Sequence, residues 1–130
     1  MRGYARETAF CKIYSYLLSG NTEEGFEQFD ESKLTDEDKT FADGLAQGTI
    51  ANKTAIDAAV SEYSRAFKLA RIYRIDLAAL ELALYEMMYT DTPHPVVINE
   101  AVGIVKKYST EKSTKFVNGI LAAYERDCNK

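Results

Sequence analysis

The sequence is poor in the residues that build most catalytic and metal sites. Its 130 residues contain one histidine, two cysteines and two prolines, and the seven glycines form no phosphate-binding loop. Cys11 and Cys128 lie at opposite ends without a C-x-x-C spacing, which predicts two unlinked thiols and leaves a disulfide between the termini as the minor alternative. His94 lies between two prolines, where a solvated ring is commoner than a general base. We therefore expect no enzyme, no cofactor and no metal site.

Long apolar runs and low-complexity segments are also missing. No stretch of about 18 uncharged apolar residues is present that could cross a membrane, and the opening residues lead directly into an amphipathic pattern instead of a secretory signal. Hydrophobic residues make up 46% of the chain, a content typical of a globular core and not of a disordered chain. We expect one domain over residues 1–130, located in the cytoplasm.

The negative charge of the chain is unevenly distributed. The formal net charge is −4, but residues 22–43 hold nine acidic and two basic side chains, a local charge of −7 that leaves +3 for the remainder. Because affinity for phosphate depends on local clusters of lysine and arginine, the overall acidity does not exclude RNA as a partner.

Apolar residues recur at helical spacing through most of the chain. Thr35, followed by three acids, predicts a helix start, and the very apolar run after Asp76, its predicted N-cap, predicts a central helix enclosed by neighbours. Glu81 and Glu86 in that helix lie about 140° apart, and each is expected to reach solvent or a hydrogen-bond partner at the helix edge, with contact to a partner protein as the alternative. No segment alternates like a strand, so the predicted fold class is all-α, a single-domain bundle of six to seven helices.

Basic residues surround the predicted turn between the last two helices: Lys106, Lys107, Lys112 and Lys115. Phe116 follows directly. A cation beside an aromatic ring suits single-stranded RNA, because unstacked bases stack on flat apolar surfaces while their phosphates attract positive charge. A buried ring with a solvated lysine rim is the competing interpretation. A second basic row, at Arg65, Lys68, Arg71 and Arg74, is a weaker candidate extension of such a surface.

Four short motifs occur in order along the chain: A-R-E at residues 5–7, L-A-L-Y-E at 82–86, I-N-E-A-V at 98–102 and K-F-V-N-G at 115–119. Together they resemble the NusB family of bacterial transcription antitermination factors over nearly the whole length. The resemblance implies a NusB-like helical fold that binds boxA-type single-stranded RNA together with the ribosomal protein NusE, within an RNA polymerase antitermination complex. By position, it implies RNA contacts at Arg2, Arg6, Tyr14, Lys115 and Phe116, and a NusE contact at Asp76. Lys112 is added to the expected RNA contacts because its positive charge favours phosphate.

The sequence departs from the family pattern at several places. Gly3 and Tyr4 stand where the family has arginines, Glu81 stands where the central helix normally has arginine, and Lys112 replaces an acid. We therefore expect weak RNA binding alone and useful binding with NusE. A protein-protein adaptor without RNA binding is the alternative, and a homodimer is left open. A cytosine methyltransferase with such a domain is a third interpretation, for which 130 residues leave no room.

Overall fold

The computed structural model describes residues 2–22, 31–65 and 68–128. These ranges hold six α-helices and no strand, which confirms the all-α prediction. The helices are α1 (Arg2–Ser19), α2 (Asp36–Ala51), α3 (Lys53–Ser64), α4 (Arg74–Tyr89), α5 (His94–Tyr108) and α6 (Glu111–Cys128), and single 3₁₀ turns occupy Glu31–Lys33 and Leu69–Arg71. A brief helix predicted around Phe26 and Phe29 falls outside the described residues.

Helix α4 is the centre of the bundle, as its apolar sequence predicts. It contacts each of the other five α-helices, and Leu77, Leu80 and Leu84 are at most 2% exposed. Burying a leucine side chain contributes about 1.5 to 3 kcal/mol. The neighbouring helices therefore owe their positions to a shared contact with α4.

Local chemistry sets several helix boundaries. Thr35 caps α2 by accepting a hydrogen bond from the Asp38 amide at 3.0 Å. Asn52 separates α2 from α3, and its side-chain amide donates to the Gly48 carbonyl at 2.8 Å. Pro95 lies in the first turn of α5, where its missing amide hydrogen costs nothing. The Thr35 cap confirms the helix start that the sequence predicted there.

Other boundaries differ from the sequence expectations. Asp76 is not the N-cap of α4, because the helix already begins at Arg74 and Asp76 lies in its first turn. Helix α3 ends at Ser64, and Arg65 takes a positive φ of 50°, so the proposed basic row does not run along one helix. The apolar spacing from Ile56 onward also predicts a helix that includes Phe67, which lies outside the described residues. His94 begins α5, with Nε2 3.2 Å from the Met87 carbonyl oxygen, and is not in a loop.

The two cysteines lie in different environments. Cys11 is buried in α1, Cys128 is exposed at the end of α6, and no disulfide joins them, which confirms the prediction of two unlinked thiols. In the part of the chain that the structure describes, no helix is both long enough and apolar enough to cross a membrane.

Candidate nucleic-acid interface

The start of α6 presents two lysines to solvent. Thr110 fixes this helix end, because its hydroxyl accepts a hydrogen bond from the Ser113 amide at 3.0 Å. Lys112 and Lys115, three residues apart on the first turns, are exposed, and Phe116 beside them is half-buried against the core. Cations and a partly accessible ring therefore occur together on a rigid element.

Asp76 fastens this helix start to the central helix. Its Oδ1 accepts a hydrogen bond from Ser109 at 2.8 Å, its Oδ2 accepts one from Ser113 at 2.6 Å, and the residue is 2% exposed. A carboxylate held in this way has little surface left for another protein. We therefore revise its expected role from contacting NusE to positioning the α5–α6 turn.

A pocket opens where the start of α4 faces the start of α6. Its volume is about 390 Å³, and its lining comprises Arg71, Ile72, Tyr73, Asp76, Thr110, Lys112, Ser113 and Phe116. Lys112 and Phe116, which were both named from the sequence, thus line the same pocket as Tyr73. Tyr73 was not named from the sequence. The signal that could have found it was a tyrosine three residues before Asp76, the predicted N-cap of the apolar helix.

Helix α1 is anchored beside the same turn through Glu7. Tyr108 near the end of α5 donates its hydroxyl hydrogen to Glu7 Oε1 at 2.5 Å, and the Lys107 ammonium lies 2.6 Å from the same oxygen. Hydrogen bonding to Glu7 raises the pKa of Lys107, and burial followed by the same carboxylate raises the pKa of the Tyr108 hydroxyl. The N-terminal helix therefore contacts α5 four residues before Lys112.

Arg6, an expected RNA contact, is committed to the interior. Its Nε lies 2.9 Å from Glu86 Oε2 and its Nη2 lies 3.0 Å from Glu86 Oε1, while Nη1 is 3.9 Å from Glu100. Arg6 and Glu86 are 7% and 2% exposed. Glu86 thus has the hydrogen-bond partner that was expected, but it does not reach solvent. We revise Arg6 from an RNA contact to a buried structural cation.

The other two N-terminal candidates are more accessible. Arg2 is exposed, and its guanidinium carbon lies 3.8 Å from the centre of the Phe41 ring. Tyr14 is half-buried and stacks with Phe10, their ring centres 6.4 Å apart. Three predicted cations, Arg2, Lys112 and Lys115, are therefore exposed, and both predicted rings, Tyr14 and Phe116, are neither sealed nor fully exposed.

A second buried acid marks a departure from the family pattern. Glu81 is 1% exposed, and its Oε2 lies 3.5 Å from the Lys53 ammonium, which also lies 2.5 Å from Asp57 Oδ2. Burial, with hydrogen bonding to Asp57 second, raises the pKa of Glu81 to about 9. Glu81 thus has a hydrogen-bond partner, as one half of the expectation had it, but it does not reach solvent, because α3 covers this part of α4.

The helical bundle carries two exposed lysines and a half-buried aromatic ring at the start of α6. Together these features define a small helical recognition protein. A family model described as the NusB family matches residues 4–126. The chain belongs to the NusB family, which confirms the resemblance drawn from the four motifs, and transcription antitermination is the function of that family.

Individual relatives agree over nearly the full length. The transcription antitermination protein NusB of Thermoanaerobacter sp. strain X514 is 39% identical over 127 residues, which cover 97% of this chain and 91% of that protein. Its counterpart in Sulfurimonas denitrificans is 37% identical and covers 97% of each chain.

Solved structures show the same fold. NusB of T. maritima superposes with a TM-score of 0.84 at 32% identity, covering 95% of this chain and 89% of that one. A crystal structure of antitermination factors NusB and NusE in complex with double-stranded RNA matches with a TM-score of 0.80 at 31% identity, covering 94% and 93%.

Proposed function

We propose that this protein binds boxA-type single-stranded RNA together with the ribosomal protein NusE, and that the pair joins an antitermination complex on RNA polymerase. The observation that carries the proposal is the start of α6, where exposed Lys112 and Lys115 flank half-buried Phe116. A related solved structure contains NusB, NusE and RNA, which supports both partners.

The contacts follow from the chemistry of unpaired nucleotides. Lys112, Lys115 and Arg2 bind phosphates, while the rings of Phe116 and Tyr14 offer surfaces on which bases stack. The buried Arg6 and Asp76 act indirectly, because they hold α1 and the α5–α6 turn against α4. RNA recognition therefore depends on a rigid arrangement of few cations.

The small number of exposed cations limits affinity for RNA by the protein alone. Each phosphate-bound cation contributes one released counterion to the binding free energy, and the family arginines missing at Gly3 and Tyr4 remove two such contributions. NusE supplies additional positive surface in the joint complex. The isolated protein therefore binds boxA RNA feebly, and the pair binds it usefully.

Fluorescence anisotropy with labelled boxA RNA, at two salt concentrations and with or without NusE, tests the proposal. Charge reversal of Lys112 and Lys115 to glutamate should weaken binding by the pair by at least about tenfold and reduce the salt slope by about two. The same reversal at Lys33 and Lys39, two exposed lysines outside this surface, is the matched control and should change little.

Three results contradict the proposal: tight RNA binding by the isolated protein, no RNA binding by the pair, or equal losses in the two double variants. Retained NusE binding with no RNA binding would instead identify an adaptor. A pulldown from the native cell should return NusE and RNA polymerase.

A further inference from the structure

We propose that Arg71 and Tyr73 form the second wall of a nucleotide pocket whose first wall is Lys112 and Phe116, and that this pocket takes one unstacked RNA base with its phosphate at the rim. The inference rests on the proposed function and deepens it, since it assigns two binding residues and a specific place on the surface. Neither residue belongs to the set that the family resemblance implies.

The two walls are joined before any ligand arrives. One wall is the 3₁₀ turn Leu69–Arg71 with the chain leading into α4, and the other is the start of α6. Asp76 in the first turn of α4 accepts hydrogen bonds from Ser109 and Ser113, so the distance between the walls is fixed. The pocket is open on one side, and its volume of about 390 Å³ lies in the range of about 300 to 1,000 Å³ typical of small-molecule sites.

Tyr73 is a large aromatic side chain left open to solvent. It is 68% exposed, more than Leu18 at 60%, which is the next most exposed large hydrophobic residue in the described ranges. Tyr73 precedes α4 as its N-cap residue, yet its side chain makes no capping hydrogen bond. The exposed Tyr73 ring therefore serves neither core packing nor helix capping. An exposed aromatic ring is a surface on which an RNA base can stack.

The charges around the pocket favour a base inside and a phosphate outside. Exposed Arg71 and Lys112 stand on opposite walls, where both can approach one phosphate. Asp76 forms part of the lining and repels a phosphate placed deep in the pocket, while the buried side chain of Ile72 gives an apolar surface. A planar, uncharged base on an anionic backbone matches this division, which is the arrangement of single-stranded RNA.

Anisotropy with NusE and boxA RNA tests the pocket through two substitutions at one position. Stacking on one aromatic ring corresponds to about 1 to 3 kcal/mol, or about 5-fold to 150-fold in affinity. Tyr73→Ala should weaken RNA binding within that range, and Tyr73→Phe should keep most of the affinity because the ring remains. Tyr89→Ala, at the other end of α4 and also exposed, is the matched control and should keep wild-type affinity.

An RNA series with a single abasic nucleotide at each position in turn locates the bound base. One position should weaken binding by the wild-type pair but add no further loss to Tyr73→Ala, because both changes remove the same contact. Additive losses at every position would overturn the pocket.

The outcomes separate the pocket from the proposed function. If Tyr73→Ala matches Tyr89→Ala while charge reversal of Lys112 and Lys115 still weakens RNA binding by the pair, the pocket is wrong and the proposed function stands. If Tyr73→Ala weakens NusE binding measured without RNA, the surface is a protein contact and the pocket is also wrong. Absence of RNA binding by the unmodified pair would overturn both.

Discussion

Two glutamates on the central helix, five residues apart, are buried to the same degree but are satisfied very differently. The Glu86 carboxylate accepts hydrogen bonds from two nitrogens of the Arg6 guanidinium at about 3 Å. Glu81 lies 3.5 Å from the Lys53 ammonium, which it shares with Asp57, and its other contact is with the Asp57 carboxyl itself. A guanidinium presents a planar fork that matches a carboxylate, whereas an ammonium is a point charge.

The consequence is a difference in protonation. Around Glu81, two buried oxygens, Asp57 Oδ1 and Glu81 Oε2, have no hydrogen-bond partner. The two acids also share one cation, Lys53. A proton on Glu81 relieves the excess negative charge, in agreement with a pKa raised to about 9 by burial first and by Asp57 second. The same residue type thus pairs with a guanidinium at one place and has a raised pKa beside another acid at the other.

The largest expected effect is the loss of the Arg6 side chain. Arg6→Ala leaves the Glu86 carboxylate buried without its cation, which should lower the free energy of unfolding by about 3 to 5 kcal/mol. Urea denaturation of the purified protein measures the change.

A double variant, Arg6→Met with Glu86→Leu, controls for the charge, because replacing both ions by apolar groups is often neutral. It should recover much of the lost stability. A loss as large as that of Arg6→Ala would mean that packing volume, and not the unpaired charge, determines the effect.

Glutamine substitution at the two glutamates should have opposite signs. Glu81→Gln introduces an amide that can donate to Asp57 and cannot ionise, so it should raise the free energy of unfolding near neutral pH by about 1 to 3 kcal/mol. Glu86→Gln removes the charge that Arg6 pairs with and should lower it by a similar amount.

The pH dependence distinguishes the two sites further. Between its ordinary pKa of 4.5 and about 9, Glu81 keeps its proton in the folded state and loses it in the unfolded state. The stability it contributes is therefore complete below about pH 4.5 and falls as pH rises to about 9, by at most about 1.4 kcal/mol per pH unit.

Urea denaturation of wild type and Glu81→Gln at several pH values across this window measures that slope. The variant should lack the downward slope that wild type shows. Equal slopes in the two proteins would show that Glu81 is ionised in the folded state.

A smaller change in the free energy of unfolding is expected where α2 packs closely on α4 at Gly48. A Cβ added at Gly48 would lie 2.2 Å from the Tyr85 hydroxyl oxygen and 2.3 Å from its Cζ, whereas Gly44 on the same helix has nothing within 4 Å. Gly48→Ala should therefore lower the free energy of unfolding by about 1 to 2 kcal/mol through overpacking.

Gly44→Ala is the matched control, and it should raise stability by up to about 1 kcal/mol through helix propensity. Because Asn52, directly before Lys53, donates to the Gly48 carbonyl, replacing Gly48 should disturb the contacts of Lys53 with Asp57 and Glu81. NMR of these carboxyl groups can follow the change. A stabilised Gly48→Ala protein would mean that Tyr85 moves aside at little cost.

The sequence predicted the helices better than it predicted the roles of their charged residues. Helical spacing and the Thr35 cap predicted α2 and the central helix, because those signals are local. The interior role of Arg6 was not predictable in the same way, since its partner Glu86 is 80 residues away and only packing of α1 on α4 brings them together.

Asp76 and Tyr73 show the same limit at the candidate interface. Asp76 has the sequence appearance of a helix cap, yet its partners are Ser109 and Ser113 on a distant turn. Tyr73 belongs to no helical apolar stripe in the sequence. Its candidate role in binding is visible only in the structure, where α6 places Phe116 in the same pocket. The exposure of Lys112 and Lys115 was predictable, because lysine ammonium groups are almost never fully buried without a partner.

The smallest expected effect extends the comparison to an ion pair at the surface. Lys107 lies 2.6 Å from Glu7, closer than Arg6 lies to Glu86, but its side chain is 60% exposed. Water and salt screen such a pair, so Lys107→Ala should lower the free energy of unfolding by no more than about 1 kcal/mol. Urea denaturation at low and high salt should show the difference shrinking as salt rises, while the cost of Arg6→Ala stays nearly constant because the buried pair is screened much less. A salt-independent loss at Lys107 would mean that its contact with the Tyr108 ring, 5.4 Å away, stabilises the protein more than its charge does.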